Sequence, residues 1–435
     1  MKALAGVPAS PPQAPSEAEL AASGLSLLGR PALWPSLHRA SASTADAAGK
    51  PWSAYWSARL DATMPTAQAR ELFAAAHQAF TQAGDSTGAL LCAAAVIETF
   101  YVEEGALDPM DVWITHLLSA LPADGAWPTP ELEATVMACG IGIILRDQTH
   151  PLLPRWAERG AVLVRQLAPG PIRVKLATFL MQYHLWRGEF GKTGLIVDAL
   201  PGLDVAGLLP AEALVWHQSV ATHARFTAQH ERGLAAIDAA LTLVKAHGLT
   251  QHLYALHAHG ASLAIAAHDV ETSQMHMDAM RPILDTLPQA DQTHYWHFHT
   301  GLCLLRGNTA RAVEHARMTL GNSAEIGGSY RTVAHRFSLG QALLAHGDAA
   351  AALAAFEQTT AEAREISAGL IAFSATLMRA ACLQRLDRPD EADTALREAA
   401  AEGARQDYRT IAGWWMPEVV APLAMRALTL GLEPA

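Results

Sequence analysis

Cysteine is scarce in this sequence, and no two cysteines stand at a spacing typical of metal or redox motifs. Four thiols are spread over 435 residues, and they are Cys92, Cys139, Cys303 and Cys382. Isolated thiols of this kind are typical of a reducing compartment, where they serve as small core residues. The sequence therefore gives no sign of a disulfide framework.

Long hydrophobic runs are also missing. The most apolar segment, Val136–Leu145, contains two glycines and is far shorter than a membrane-spanning helix. The N-terminal MKALAGVPASPPQAP has one lysine and an apolar run too short for a signal peptide. We therefore expect a cytoplasmic protein.

Positive charge is sparse and scattered. The chain has 31 Lys and Arg against 42 Asp and Glu, a formal net charge of −11, and 51% hydrophobic residues. Phosphate backbones are bound by clustered positive charge, so this balance argues against nucleic acid as a direct partner. The hydrophobic content is sufficient for a large core.

Motifs for catalysis are not found either. Gly191-Lys192-Thr193 looks like the end of a phosphate-binding loop, but the glycine required five residues earlier is replaced by Trp186, and the preceding segment is helical. His230-Glu231 is followed by Leu234 where a zinc-protease motif needs histidine. We therefore predict a protein without catalytic residues or a cofactor.

A helical hairpin of about forty residues is what the sequence does contain. Residues 331–366 carry two amphipathic segments around a short turn at Gly347-Asp348. Gly347 can adopt the left-handed conformation that ends a helix, and Asp348 can cap the next one. The first segment carries Val333, Phe337, Leu339, Leu343 and Leu344, and the second carries Leu353, Phe356 and Ile366 on an alanine-rich background.

The hairpin recurs along the chain. We place equivalent turns, with steps of 42, 38, 39, 40 and 40 residues, at Gly188-Glu189, His230-Glu231, His268-Asp269, Gly307-Asn308, Gly347-Asp348 and Asp387-Arg388. A small residue follows five positions after each turn start: Thr193, Ala235, Ser273, Ala312, Ala352 and Ala392. A period near forty is the signature of a helical solenoid, and extrapolation backwards adds turns near Asp61, Gly105 and Asp147.

These patterns predict an all-α fold, a right-handed α-solenoid of about nine hairpins similar to tetratricopeptide repeats. We expect a Pro/Ala-rich N-terminal segment with short helices over residues 1–50, of which 1–16 are disordered. The repeats should cover residues 51–412. A tryptophan-containing cap should cover residues 413–435, with large aromatics closing the exposed end of the last repeat.

Histidines on the first helices of the hairpins are the strongest candidates for a site. Nine of the twenty histidines lie between His247 and His299. If the first helices line the concave wall, their rings stand at similar heights beside aromatic side chains and could contact a ligand or partner. The candidate residues are His217, Tyr254, His257, His294, Trp296, His297, Arg331 and His335.

The alternative is that these histidines are half-exposed residues that pack between repeats. The spacing of His294, His297 and His299 is not a closed ligand set, and no cysteine or carboxylate clearly completes it, so we predict no metal. Trp414 and Trp415 are a second candidate. They either belong to the cap or form a docking face for a partner.

Several segments resemble the helical-repeat region of large bacterial transcriptional regulators, the MalT/LuxR-like and antibiotic-regulatory-protein-type members of the signal-transduction ATPase class. The resemblance spans Gly29 to Glu433 and is strongest in PWSAYWSARL, DQTHPLLPRW, HYWHFHTGLCLLRG and GWWMPEVVAPLAMRALTLGLE. It implies a repeat arm that senses a small molecule or a protein and controls ATP-dependent self-assembly.

The chain departs from that family because it has no phosphate-binding loop, winged helix or basic DNA-reading domain. We therefore expect it neither to hydrolyse ATP nor to bind DNA by itself, and to be a stand-alone sensor or part of a split system. The main hypothesis is a non-catalytic regulator that binds a protein partner, such as an ATPase or DNA-binding regulator, or a small effector. The alternative is a histidine-lined ligand- or metal-binding protein with an activity of its own.

Overall fold

The computed structural model describes residues 24–34, 37, 50–102, 107–123, 125–200, 208–287, 289–326 and 329–432. Within these ranges the chain is all-α, with nineteen α-helices, five short 3-10 helices and no β-strand. Residues 1–16, predicted to be disordered, and the turn expected near Gly105 lie outside the described ranges. None of the helices in those ranges is long and apolar enough to cross a membrane.

The helices of the first half are α1 (Pro51–Leu60), α2 (Thr66–Ala83), α3 (Ser86–Val102), α4 (Met110–Ala120), α5 (Pro130–Gly140), α6 (Leu152–Gln166), α7 (Pro171–Arg187), α8 (Phe190–Ala199) and α9 (Pro210–Phe226). Those of the second half are α10 (His230–His247), α11 (Leu253–Ala266), α12 (Val270–Met280), α13 (Gln289–Leu305), α14 (Thr309–Ile326), α15 (Ser329–His346), α16 (Ala349–Glu365), α17 (Gly369–Arg385), α18 (Pro389–Gln406) and α19 (Pro417–Thr429). Consecutive helices from α1 to α18 pair into nine hairpins, and the predicted all-α solenoid is confirmed.

Left-handed residues end the first helix of each of the last six hairpins. They are Gly188, Ala228, His268, Gly307, Gly347 and Asp387, and they follow one another at steps of 40, 40, 39, 40 and 40 residues. As predicted, Gly347 takes this conformation with φ of 97°, and the Asp348 carboxylate accepts the Ala351 amide at 3.0 Å to cap α16.

One predicted turn is wrong by two residues. The turn placed at His230-Glu231 lies at 227–229, because Ala228 adopts a φ of 57° and α10 already begins at His230. The small residue of that repeat is accordingly Gly233, which is buried against Leu263 of the next hairpin, whereas Ala235 is exposed. The corrected register makes the forty-residue repeat almost perfectly regular.

The solenoid is coiled so tightly that hairpins four repeats apart touch. Arg59 of the first hairpin forms an ion pair with Glu212 of the fifth at 2.8 Å. The Trp186 and Tyr330 rings, from the fourth and eighth hairpins, lie 4.2 Å apart. The first helices form the inner wall of this coil, so polar side chains on them face other inner helices as well as solvent.

The last helix closes the array. Val419 and Leu423 of α19 are buried in the same core as α17 and α18, and Arg426 pairs with Asp393 of α18. The predicted boundary between residues 412 and 413 falls inside an extended connection between α18 and α19. The four cysteines are buried free thiols, as expected of small core residues.

Candidate functional site

An extended piece of the chain itself lies along the inner wall of the second half. Residues 407–416, which we call the inserted segment, connect α18 to α19 without helical structure. Tyr408 near its start packs against Phe190 and Phe373, with ring centroids 5.9 and 5.2 Å away. The Ala412 amide then donates to the Ser374 hydroxyl of α17 at 2.8 Å. The segment thus runs across first helices that are far apart in sequence.

The Trp414 peptide unit is held by the buried Gln341 of α15. The Gln341 side chain accepts the Trp414 amide at 3.0 Å and donates to the Trp414 carbonyl at 2.6 Å. The neighbouring Gly413 carbonyl accepts from the Arg225 guanidinium of α9 at 2.6 Å. Burial lowers the pKa of Arg225 to about 10, so this side chain is still charged at neutral pH. These contacts recognise main-chain atoms rather than side chains.

The Trp414 indole fills a hollow between α13 and α15. It is 2% exposed, and its ring nitrogen donates to the Ser338 hydroxyl at 2.8 Å. A Cβ at Gly301 would lie 2.8 Å from the indole, so only glycine leaves room for it. Gly301 thus makes room for the inserted segment.

The two tryptophans do not form one docking face. Trp414 is inside the coil, whereas Trp415 is 36% exposed and its carbonyl accepts from His268 at 3.1 Å. Trp414 also does not cover the end of the last repeat, because that position is taken by α19. A cavity of about 220 Å³ lies beside Trp415, between Arg225, His230 and Arg409.

The predicted histidines lie in three separate environments. The His297 ring packs at a tilt against Trp414 and His335, with centroid distances of 4.7 and 4.6 Å, and the His294 ring lies 6.3 Å from it. The imidazole Nδ1 of His297 is buried without a hydrogen-bond partner, and burial together with His335 holds its pKa well below the usual range. The His335 Nδ1 lies within hydrogen-bond distance of the Ser323 hydroxyl. These three histidines and Trp414 form the part of the predicted site that the fold brings together.

The other candidates lie outside that group. His217 is half-buried on α9, and burial lowers its pKa. The Tyr254 hydroxyl donates to the Asp291 carbonyl, which joins α11 to α13. Arg331 is half-buried at the start of α15. His257 contacts His276 of its own hairpin, with Nδ1 atoms 3.0 Å apart.

The expectation that no cysteine completes a histidine set is wrong for the seventh hairpin. His299 of α13 lies 3.1 Å from His315 of α14 and 3.3 Å from Cys303, measured between Nδ1 and Sγ atoms. The predicted Trp296 packs on the His315 ring, with centroids 4.9 Å apart. Burial, then the neighbouring His315, lowers the pKa of His299 to about 4.

A group of four buried charges in the first half was not predicted. Lys175 of α7 donates to Glu98 of α3 at 2.6 Å, and Arg59 of α1 bridges Glu98 to Glu212 of α9. Burial would raise the pKa of Glu98, but Arg59 and Lys175 outweigh it and lower the pKa to about 2. Burial raises the pKa of Glu212, one of whose carboxylate oxygens is buried without a hydrogen-bond partner.

These four residues, the charged quartet, line a cavity of about 140 Å³ whose remaining wall is largely apolar. Two members of the charged quartet could have been noticed in the sequence. Glu98 interrupts the apolar run of α3, and Lys175 stands between Val174 and Leu176 in α7. A buried charge is stable only when it is paired, so such residues point to partners elsewhere in the fold.

No protein-family model matches the chain, and no curated protein matches it. Among solved structures, it is similar to NprR in complex with its cognate peptide NprX, with a TM-score of 0.44 and 12% identity over 67% of this chain and 82% of that one. It is also similar to yeast Tom70, with a TM-score of 0.38 and 10% identity over 95% and 96% of the two chains.

A third similar structure is a signal-transduction ATPase with a tetratricopeptide-repeat sensor from Pyrococcus horikoshii. Its TM-score is 0.35, with 12% identity over 88% of this chain and 66% of that one. At such scores and identities the likeness concerns helical-repeat architecture only.

Proposed function

We propose that this protein is a non-catalytic regulator whose inner groove, the part of the inner wall that holds the inserted segment, binds an extended polypeptide segment of a partner. The observation that carries the proposal is the inserted segment, which lies in that groove as a non-helical peptide. Gln341, Ser374 and Arg225 all bond to its main-chain atoms. Because every polypeptide presents the same amides and carbonyls, a groove built in this way suits a peptide ligand.

The partner segment takes the place of the inserted segment. Gln341, Ser374 and Ser338 are fully buried, so their polar atoms are costly to leave without partners. An incoming peptide that places an aromatic side chain over Gly301 and its main chain beside Gln341 would restore the same bonds. Binding and release of the protein's own C-terminal segment are then coupled, which gives the regulator two states.

The finer proposal is that the protein is the sensing arm of a MalT/LuxR-type system. The sequence resemblance supports it, and the partner would then carry the ATPase or DNA-binding domain. The acidic balance of the chain favours contact with that protein over direct contact with DNA. We place this interaction in the cytoplasm, in keeping with the isolated free thiols.

The test uses a labelled synthetic peptide with the sequence of residues 407–416 and three full-length chains. Trp414→Ala weakens the internal occupant, so this variant should bind the peptide more tightly than the wild type does. Adding Gln341→Ala to that variant should abolish binding, because the main-chain clamp is lost. Fluorescence anisotropy gives the affinities, and circular dichroism checks that each chain folds.

Two results would contradict the proposal. The first is that the Trp414→Ala chain binds no more peptide than the wild type. The second is binding that persists unchanged without the Gln341 side chain. Both chains also serve as baits, since a true partner should be enriched on Trp414→Ala and lost on the double variant.

A further inference from the structure

The seventh hairpin holds two histidines and one cysteine with their side-chain donor atoms close together. The ligand atoms of His299, Cys303 and His315 all lie within 4.8 Å of one another, and no other group of three such residues is this compact in the described part of the chain. Cys303 and His315 are 4% and 8% exposed, and His299 is half-buried. The inner groove does not use these atoms.

Local sequence and hairpin geometry explain the arrangement. His299 and Cys303 are four residues apart on α13, so they share one face of that helix. The short turn at Gly307-Asn308 folds α14 back along α13, which brings His315 opposite them. Three potential ligands thus come from two rigid helices rather than from a loop.

Two of the three ligand–ligand distances match a tetrahedral ion. Zinc–nitrogen and zinc–sulfur bonds of about 2.0 and 2.3 Å place two nitrogens about 3.3 Å apart and a nitrogen and a sulfur about 3.5 Å apart. The observed separations are 3.1 Å between the two Nδ1 atoms and 3.3 Å from His299 Nδ1 to Cys303 Sγ. Both differ from the tetrahedral values by a few tenths of an ångström. The third separation, between the ligand atoms of His315 and Cys303, is within 4.8 Å, so side-chain rotations that draw these two residues together would complete the coordination.

We infer that this hairpin binds a Zn²⁺ ion through His299 Nδ1, His315 Nδ1 and Cys303 Sγ. Two imidazoles and one thiolate are a ligand set that zinc prefers, and three protein ligands leave the fourth position to water or an external donor. On binding, the Cys303 thiol releases its proton to solvent and each imidazole offers the lone pair of a neutral nitrogen. The three zinc ligands take no part in holding the inserted segment in the inner groove.

The neighbouring sixth hairpin provides an internal control. His257 and His276 also face each other across a hairpin, with Nδ1 atoms 3.0 Å apart. Four residues after His257, where Cys303 stands relative to His299, the chain has Ala261. This pair shows that two helices can be bridged by a His–His contact alone. Zinc binding should therefore require the cysteine.

The experiment titrates the full-length, chelator-treated chain with Co²⁺ and then displaces it with Zn²⁺. The wild type should develop a sulfur-to-cobalt charge-transfer band and the visible bands of tetrahedral Co²⁺, saturating at a single equivalent. Zn²⁺ should abolish both signals and raise the melting temperature. Cys303→Ser, which is nearly isosteric, should lose the charge-transfer band and the zinc-dependent thermal shift, while His276→Ala should keep both.

The wild-type titration decides the proposal even if a variant fails to fold. A wild-type chain that gives no sulfur-to-cobalt band overturns the site. Binding that survives Cys303→Ser, or that disappears in a His276→Ala chain shown to be folded, also overturns it, because the ion would then lie elsewhere. His315→Ala supplies a second ligand deletion and should likewise lose tetrahedral binding.

Discussion

The two halves of the inner wall satisfy their buried polar groups in different ways. In the first half, Arg59, Glu98, Lys175 and Glu212 pair with one another and leave a small open cavity beside them. In the second half, Gln341 and Ser374 pair with the main chain of the inserted segment. The first solution is fixed, because all partners are side chains of rigid helices. The second is exchangeable, because another polypeptide can supply the same groups.

The largest effect should come from removing the anchor of the inserted segment. Trp414→Ala deletes a fully buried indole and should lower the free energy of unfolding by about 3–5 kcal/mol. Hydrogen exchange should quicken in α13, α15 and the inserted segment but not in α1 and α3. Trp415→Ala is the matched control and should cost little, since that side chain is partly exposed. Equal losses in the two variants would argue against an anchoring role for Trp414.

Breaking the charged quartet should destabilise the other half to a smaller degree. Arg59→Met leaves Glu212 buried without its cationic partner and should cost about 3 kcal/mol, the low end for a broken buried ion pair, because the cavity admits water. Urea denaturation measures the loss, and hydrogen exchange should place it in α1, α3 and α9. Arg388→Met removes an exposed pair with Glu391 and should have no measurable effect. Similar losses of stability in the two arginine variants would show that the charged quartet contributes no more than an exposed ion pair.

Lowering the pH should destabilise the second half of the protein before it destabilises the first half. Burial, then the facing histidine, lowers the pKa of both His276 and His299 to about 4, whereas an unfolded imidazole titrates near about 6.5. The unfolded chain therefore takes up protons first, and this region loses stability as the pH falls from about 6.5 towards 4. The pKa of Glu98 is lowered, so its contribution is complete above the unfolded value of about 4.3 and is lost only nearer pH 2.

Hydrogen exchange at pH 7 and pH 5, corrected for intrinsic rates, measures that difference. The α11–α14 region should open at pH 5 while α1, α3 and α7 remain protected. His276→Gln should reduce the acid sensitivity of α12. If both halves opened together, or if the quartet region opened first, the assignment of acid sensitivity to the histidines would fail.

The smallest effect should come from adding a metal-binding residue to the sixth hairpin. Ala261→Cys places a thiol four residues after His257 and should allow a second equivalent of Co²⁺ with its own charge-transfer band. Ala261→Ser is the control because it adds a hydroxyl of similar size in place of the thiol. A titration that still saturates at a single equivalent in the cysteine variant would show that spacing along the helix is insufficient to build the site.

The repeat architecture could be predicted because its determinants are local. Glycines at 188, 307 and 347 and the cap at Asp348 stand in the sequence as ordinary turn signals, and all four act as expected. The turn near His230 was misplaced since Ala228 carries no propensity for the left-handed conformation it adopts. For this repeat, the forty-residue spacing of the other turns locates the turn more accurately than residue type does.

The site was less predictable because its contacts are not local. Helical spacing identified His257 and His335 as inner-wall residues, but their partners His276 and Ser323 lie on second helices. The level at which two helices contact each other cannot be deduced from the sequence of either helix alone. The charged quartet joins residues up to 153 positions apart. The path of the inserted segment depends on the accumulated twist of nine hairpins, so the sequence suggested only a terminal cap or a docking face for the tryptophan pair.

The most direct test of the exchangeable groove is the hydrogen exchange of the Ala412 and Trp414 amides in the full-length chain. Both amides donate to buried side chains of the inner wall, so the account predicts protection far above that of a free peptide. Protection of Trp414 should fall in Gln341→Ala and should also fall as a competing peptide saturates the groove. Exchange at the rate of a free peptide, with α13 and α15 still protected, would show that the segment does not occupy the groove.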